Sequence, residues 1–434
     1  MLCGKTSCGL QYAVRKSSSA VGYCALSIKC GTRDEAGFHS GIAHFVEHTI
    51  FKGTSRRSAS VINGYLDRLG GELNAFTTKE EIVFHATVLK EDLGKAASLL
   101  FELATSAVFP EHEIEVEKGV VLDEIQSYKD TPYEDIFDKF EEMLFAGHPL
   151  SGNILGTRAS VRKITREELL KFVREKFLPC RMAFSVVADI EEKKMEKYVL
   201  KLVEKYFPSY FRHADSSVSQ QDVMPNPDCS SQSDCRGGLI PCGQYSTPAA
   251  ASFDKTLNKR NHQANCVIGA LAPSLYQEKE RIATVLLCNI LGGPANNSIL
   301  NSVLREKNGW VYSVECGYVQ FADTGMVTIS LGCDKNNLEK CVKAIYKEIS
   351  KLQEEPLSER RLKAAKKQLL GQLAISSDNG ETQCLSMGKG LLAYGKVASG
   401  KENRTLVEAV TAEDILNAAR SVFDFDRLSK LVYV

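Results

Sequence analysis

EEIVFHATVLK, residues 80–90, alternates apolar and polar side chains as a half-buried strand does, and it runs directly into KEDLGKAASLLFELAT, residues 90–105, whose apolar positions recur at helical spacing. Pro110 follows, and then a second helical pattern, HEIEVEKGVVLDEIQSY, over 112–128. The same order returns later in the chain: the strand TGMVTISLGCDK over 324–335, the helix NNLEKCVKAIYKEISKL over 336–352, Pro356, and the helix SERRLKAAKKQLLGQL over 358–373. The two prolines are 246 residues apart, a period far too long for a solenoid. A duplicated unit is the reading that accounts for it. The predicted fold is α+β, with two homologous α/β-sandwich domains, each a mostly antiparallel sheet with helices on one face.

Between the copies the periodicity stops. HADSSVSQQDVMPNPDCSSQSDCRGGLIPCGQYSTPAAASFDK, residues 213–255, is rich in Ser, Gln, Asp, Pro and Gly, which reads as a polar linker over 212–259 joining domains at 1–211 and 260–434. Cys229, Cys235 and Cys242 within it are spaced by six and seven, which fits no zinc pattern.

Composition narrows the function. With 44% hydrophobic and 25% charged residues the chain is globular, and 54 basic against 54 acidic residues leave no net field to draw it onto nucleic acid or an anionic membrane. No 18-residue apolar run occurs, and the first twenty residues hold no apolar core of an export signal, so the expectation is a soluble, cytoplasmic protein. Fourteen cysteines, scattered from Cys3 to Cys384 without a CxxC pair, read as buried small hydrophobes or free thiols.

The chemistry is concentrated in GFHSGIAHFVEHTIFKGT, residues 37–54. On a helix His44, Glu47 and His48 fall on one face, so two imidazoles and a carboxylate converge. Imidazoles four apart suit tetrahedral Zn2+, and the carboxylate beside them is placed to take a proton from a water that the metal activates. A catalytic zinc needs a third protein ligand. Glu117 and Glu124, two turns apart on one stripe of the 112–128 helix, are candidates, and Glu124 would complete a His2Glu site with an open fourth position.

HxxEH with a glutamate 75 intervening residues later and another seven before it resembles the inverzincin metallopeptidases of family M16. The likeness extends through GTRDEAGFHSGIAHFVEHTIFKGT (31–54) and LGGELNAFTTKEEIVFHATV (69–88), and the chain looks like the short bacterial processing-peptidase-like branch. The resemblance implies one Zn2+ per chain on His44, His48 and Glu124, with Glu47 as general base and Glu117 orienting a ligand. It implies that Asn74, Ala75 and Phe76 lie on an edge strand to which substrate adds. In LREKNGWVYSVE (304–315) it implies that Arg305 and Tyr312 hold the substrate carbonyl. The second copy lacks HxxEH and has Leu370 where duplication places the counterpart of Glu124, so it is expected to be catalytically silent. The implied activity is endopeptidase cleavage of extended, unstructured peptides or protein segments in a closed chamber formed by two chains. The implied partner is a second copy or a related M16 subunit, with no nucleic acid and no membrane. The alternative is a non-catalytic, peptide-binding subunit of a mixed pair.

Overall fold

The computed structural model describes residues 1–208, 248, 252–259 and 261–434. They form two compact units, neither of which is a continuous stretch of chain. The first is Met1–Ile125, 152–208 and Ser376–Ala398; the second is Gln126–Ser151, the described part of 242–375, and Ser399–Val434.

The first unit is built on six strands: β1 (Leu2–Lys5), β2 (Gln11–Lys16), β3 (Val21–Ile28), β4 (Glu72–Thr77), β5 (Ile82–Leu89) and β6 (Met182–Ala188), in the order β1-β2-β6-β3-β5-β4. The β2–β6 pair is parallel and the other pairs antiparallel. The second unit has β7 (Asp254–Leu257), β8 (Ala264–Ala272), β9 (Val311–Gln320), β10 (Gly325–Cys333) and β11 (Ser429–Tyr433), in the order β7-β11-β8-β10-β9. Its outer pair, β7–β11, is parallel, and the remaining three are antiparallel. Apart from the extra strand β1, the two sheets repeat one pattern of pairings, which is the duplication expressed as topology.

The four helices legible in the sequence form at Leu93–Ser106, Glu111–Asp130, Leu338–Glu354 and Glu359–Ser376. On β5 the alternation works as written: Ile82, Phe84, Ala86 and Val88 enter one core with Leu99, Leu100 and Leu103 of the following helix.

The sheets also carry a layer beyond the one-face arrangement. All seven residues of β6 and all nine of β10 are buried, as strands covered on both faces must be. The first sheet's other face packs Ala13, Ala25, Val83 and Val187 against Cys384, Met387 and Leu391 of the Gly380–Tyr394 helix. In the second unit, Ile136 and Phe140 of the Pro132–Leu144 helix pack against Val267, Leu431 and Tyr433. Each covering helix comes from the opposite half of the chain, so a division into 1–211 and 260–434 describes the body of each unit but not these helices.

Most of the polar linker expected over 212–259, including Cys229, Cys235 and Cys242, lies outside the described residues. Its end differs from the expectation, because Asp254–Leu257 is the strand β7. Three of its four residues are exposed, so backbone pairing to β11 holds it and the sequence carries no apolar pattern there. Among the described residues, no helix is long and apolar enough to cross a membrane.

The covering helix of the first unit approaches its sheet closely. A Cβ on Gly388 would stand 2.5 Å from Ser27 Oγ, whereas one on Gly371, in the Glu359–Ser376 helix, would meet nothing within 4 Å. Gly388→Val should therefore destabilise the fold by about 1–3 kcal/mol through overpacking. Gly371→Ala should stabilise it by about 0.4–1 kcal/mol by lowering unfolded-state entropy. Urea-unfolding midpoints moving in opposite directions are the expected result.

Candidate metal centre

Residues 42–50 are helical because their apolar side chains have a core to enter: Ile42, Phe45, Val46 and Ile50 are fully buried. The helix begins at Gly41, whose φ of 89° lies in the left-handed region and whose Cβ would stand 2.7 Å from the Leu155 carbonyl oxygen. Its first amides are held by Glu35. Oε2 accepts from the Gly41 N–H at 2.9 Å and Oε1 from the Ala43 N–H at 3.0 Å. Burial pushes Glu35 up to about 8, against those two hydrogen bonds.

The partner helix, Glu111–Asp130, starts under constraint. Phe109 before Pro110 has a φ of 48°, a costly conformation for a bulky residue, and is fully buried. Arg166 Nε donates to the carbonyl oxygens of Val108 and Phe109 at 3.0 and 3.1 Å, which fixes the turn that aims the helix.

Between these helices His44, His48 and Glu124 meet, with one potential ligand atom from each lying within 4.8 Å of the others. Glu124 Oε2 stands 3.4 Å from His48 Nε2 and 3.7 Å from His44 Nε2. Ligand atoms about 2.0 Å from a tetrahedral ion stand roughly 3.3 Å apart, so the spacing suits Zn2+. Glu124 Oε2 is also a buried carboxylate oxygen with no hydrogen-bond donor, an arrangement that a cation would satisfy. The residues therefore fit the metal.

Electrostatics prepares the two imidazoles differently. Burial, helped by the neighbouring His48, pushes His44 down to about 4, which leaves it neutral, as a ligand must be. Burial also opposes charge on His48, but the carboxylates of Glu124 and Glu117 outweigh it and raise its pKa. His48 in turn holds Glu124 below the usual carboxylate range. His48 Nδ1 lies 3.1 Å from Glu117 Oε2, so donating its N–H there leaves the Nε2 lone pair facing Glu124.

Glu47 lies beside this group, pushed up by burial and held back by a hydrogen bond of 2.6 Å from Thr77 Oγ1 to its Oε2. Thr77 ends β4, the edge strand of the first sheet. Of the residues named on that strand, Ala75 packs on the same core as the metal helix, whereas Phe76 packs on the opposite face against the Gly380–Tyr394 helix cluster. Asn74 pairs in register with His85, which is itself 3.0 Å from Glu381.

Arg305 and Tyr312 belong to the second unit, not to the one holding the histidines. Arg305 is exposed in the π-helical segment Asn301–Lys307, and Tyr312, 60% exposed on β9, donates to Asp334 Oδ1 at 2.7 Å. Three residues that sequence reasoning missed support the centre: Glu35, Thr77 and Lys52, whose Nζ lies 2.5 Å from Glu117 Oε1. Pleat alternation from Ala75 could have pointed to Thr77, but nothing periodic marks the other two.

Comparison with known proteins bears on the same regions. Residues 12–158 match the family described as Insulinase (Peptidase family M16), and 163–369 match the Peptidase M16 inactive domain. A Bacillus subtilis protein named as an uncharacterized zinc protease is 29% identical over 406 residues, covering 93% of this chain and 91% of that protein. A Rickettsia felis protein of the same description is 28% identical over 407 residues, covering 94% and 91%. The crystal structure of a protease from Helicobacter pylori has the same fold, with a TM-score of 0.84 at 20% identity, covering 100% of this chain and 98% of that one.

Because His48 binds its proton more tightly than an ordinary imidazole, a metal that binds below its raised pKa must displace that proton. Apparent Zn2+ affinity should fall about tenfold per pH unit below the raised His48 pKa, with one proton released per ion. Calorimetric titration in buffers of different ionisation enthalpy measures that proton. An affinity independent of pH across about 5 to 8 would remove His48 from the ligand set.

Proposed function

Because the chain belongs to peptidase family M16, we propose that it is a zinc-dependent endopeptidase acting on extended, unstructured segments. The observation that carries this reading is the convergence of His44, His48 and Glu124 around a buried carboxylate oxygen without a donor, with Glu47 alongside. In this role His44, His48 and Glu124 hold one Zn2+ per chain. When bound, the ion supplies a Lewis acid that activates water and polarises the scissile carbonyl. Glu47 accepts the proton of the attacking water and returns it to the leaving amine. The Thr77 hydroxyl donates to Oε2 of Glu47, which leaves Oε1 as the oxygen to take that proton.

The substrate is positioned by β4, whose outer edge pairs with no other strand among the described residues and so offers backbone donors and acceptors to an added strand. Main-chain pairing explains why an extended segment would be selected with little regard for sequence. Asn74, Ala75 and Phe76 set the register of that strand. Arg305 and Tyr312 hold the substrate carbonyl from a second chain, a copy or a related subunit, and two chains together close the chamber. The match of 163–369 to an inactive domain agrees with the absence of HxxEH there.

Glu47→Gln should keep one zinc per chain and lower kcat/KM by about 10²–10⁴ on a quenched unstructured peptide, a substrate that the wild type cleaves in a chelator-sensitive manner. Retained turnover in that variant would end the assignment of Glu47 as the base. Thr77→Val removes the hydrogen bond that holds the Glu47 pKa down. Since Glu47 must be ionised to accept a proton, the acidic limb of the pH–rate profile should move to higher pH while zinc content stays constant. An unmoved limb would separate Thr77 from the chemistry.

A further inference from the structure

Two glutamates of one helix, Glu117 and Glu124, both reach His48, and their roles must be kept apart for the centre to retain an open position. The side chain that separates them is Lys52, two residues beyond the metal helix. Its Nζ lies 2.5 Å from Glu117 Oε1, while Glu117 Oε2 lies 3.1 Å from His48 Nδ1. Glu117 is only 7% exposed at its side chain and Lys52 22%, so solvent screens the pair weakly. Both oxygens of Glu117 are thereby engaged, one by an ammonium and one by an imidazole, whereas Oε2 of Glu124 makes no close hydrogen bond and has only the two imidazole Nε2 atoms near it, at 3.4 and 3.7 Å.

We propose that Lys52 is a positioning residue that sorts the two carboxylates, holding Glu117 back as a support for His48 and leaving Glu124 as the metal ligand. This inference rests on the metal-centre reading. The argument is one of charge and geometry. A buried carboxylate stripped of its ammonium partner is left with unbalanced charge. A cation held by His44, His48 and Glu124 would be able to restore that balance. Without Lys52, Glu117 turns from His48 towards the ion, so His48 loses its orienting acceptor and the ion gains an extra oxygen. Loss of an outer partner of this kind typically lowers metal affinity 10- to 100-fold.

The test uses the full chain with Zn2+ and, as a spectroscopic probe, Co2+. Lys52→Met keeps the apolar stem without the charge and should weaken Zn2+ binding by at least about tenfold. It should also lower the visible absorption intensity of the Co2+ form, as expected when a four-coordinate ion takes a fifth ligand. Lys52→Arg should restore both. In a Glu117→Gln background, adding Lys52→Met should change neither, because Lys52 acts through the Glu117 charge. This pair also settles the matter if the single Lys52→Met variant fails to fold. Wild-type Zn2+ affinity and Co2+ spectrum in Lys52→Met, or fully additive losses in the double variant, would overturn this inference alone. A wild-type chain that binds no zinc would overturn the metal-centre reading and this inference with it.

Discussion

A buried carboxylate oxygen held 3.4 and 3.7 Å from two imidazole nitrogens, with no hydrogen-bond donor of its own, is the constraint around which the first unit is arranged. Like-charged or unpaired groups at that density cost several kcal/mol unless each charge has a counterpart. The surrounding side chains supply them: Glu117 for His48, Lys52 for Glu117, and the neutral state of His44 imposed by its burial. Against its burial, the two carboxylates raise the pKa of His48, so they favour positive charge between the helices, and a divalent cation can supply it.

Two rigid devices maintain the approach of the helices. The Glu35 carboxylate ties down the first amides of the histidine helix, and the buried, left-handed Phe109 with its Arg166 contacts sets the direction of the glutamate helix. Beside them the sheet contributes its edge. Thr77 at the end of β4 reaches Glu47, so the edge strand of the sheet and the carboxylate beside the two histidines are coupled by one hydrogen bond.

Duplication kept the scaffold and not the centre. Both sheets repeat the same pairings, and both are followed by two helices, yet Leu370 packs on the second core at the position corresponding to Glu124. The second unit has no HxxEH to meet it, and its exposed Arg305 and Tyr312 are of a different kind from the buried groups of the first unit.

By itself the sequence determined the duplication, the four helices, the strands β5 and β10, and the grouping of His44, Glu47 and His48, because strand and helix periodicities are local and can be read directly. The i, i+3, i+4 spacing placed three side chains on one face without reference to anything distant. The tertiary structure alone decided what meets them. Lys52 reaches Glu117 across 65 positions and Glu35 holds a helix end through backbone amides, and no periodicity encodes either contact. It also decided that a helix from the opposite half of the chain covers the second face of each sheet. A run such as MAFSVVA states that both faces of β6 are apolar, but not which segment will bury them, because that choice depends on shape and long-range packing.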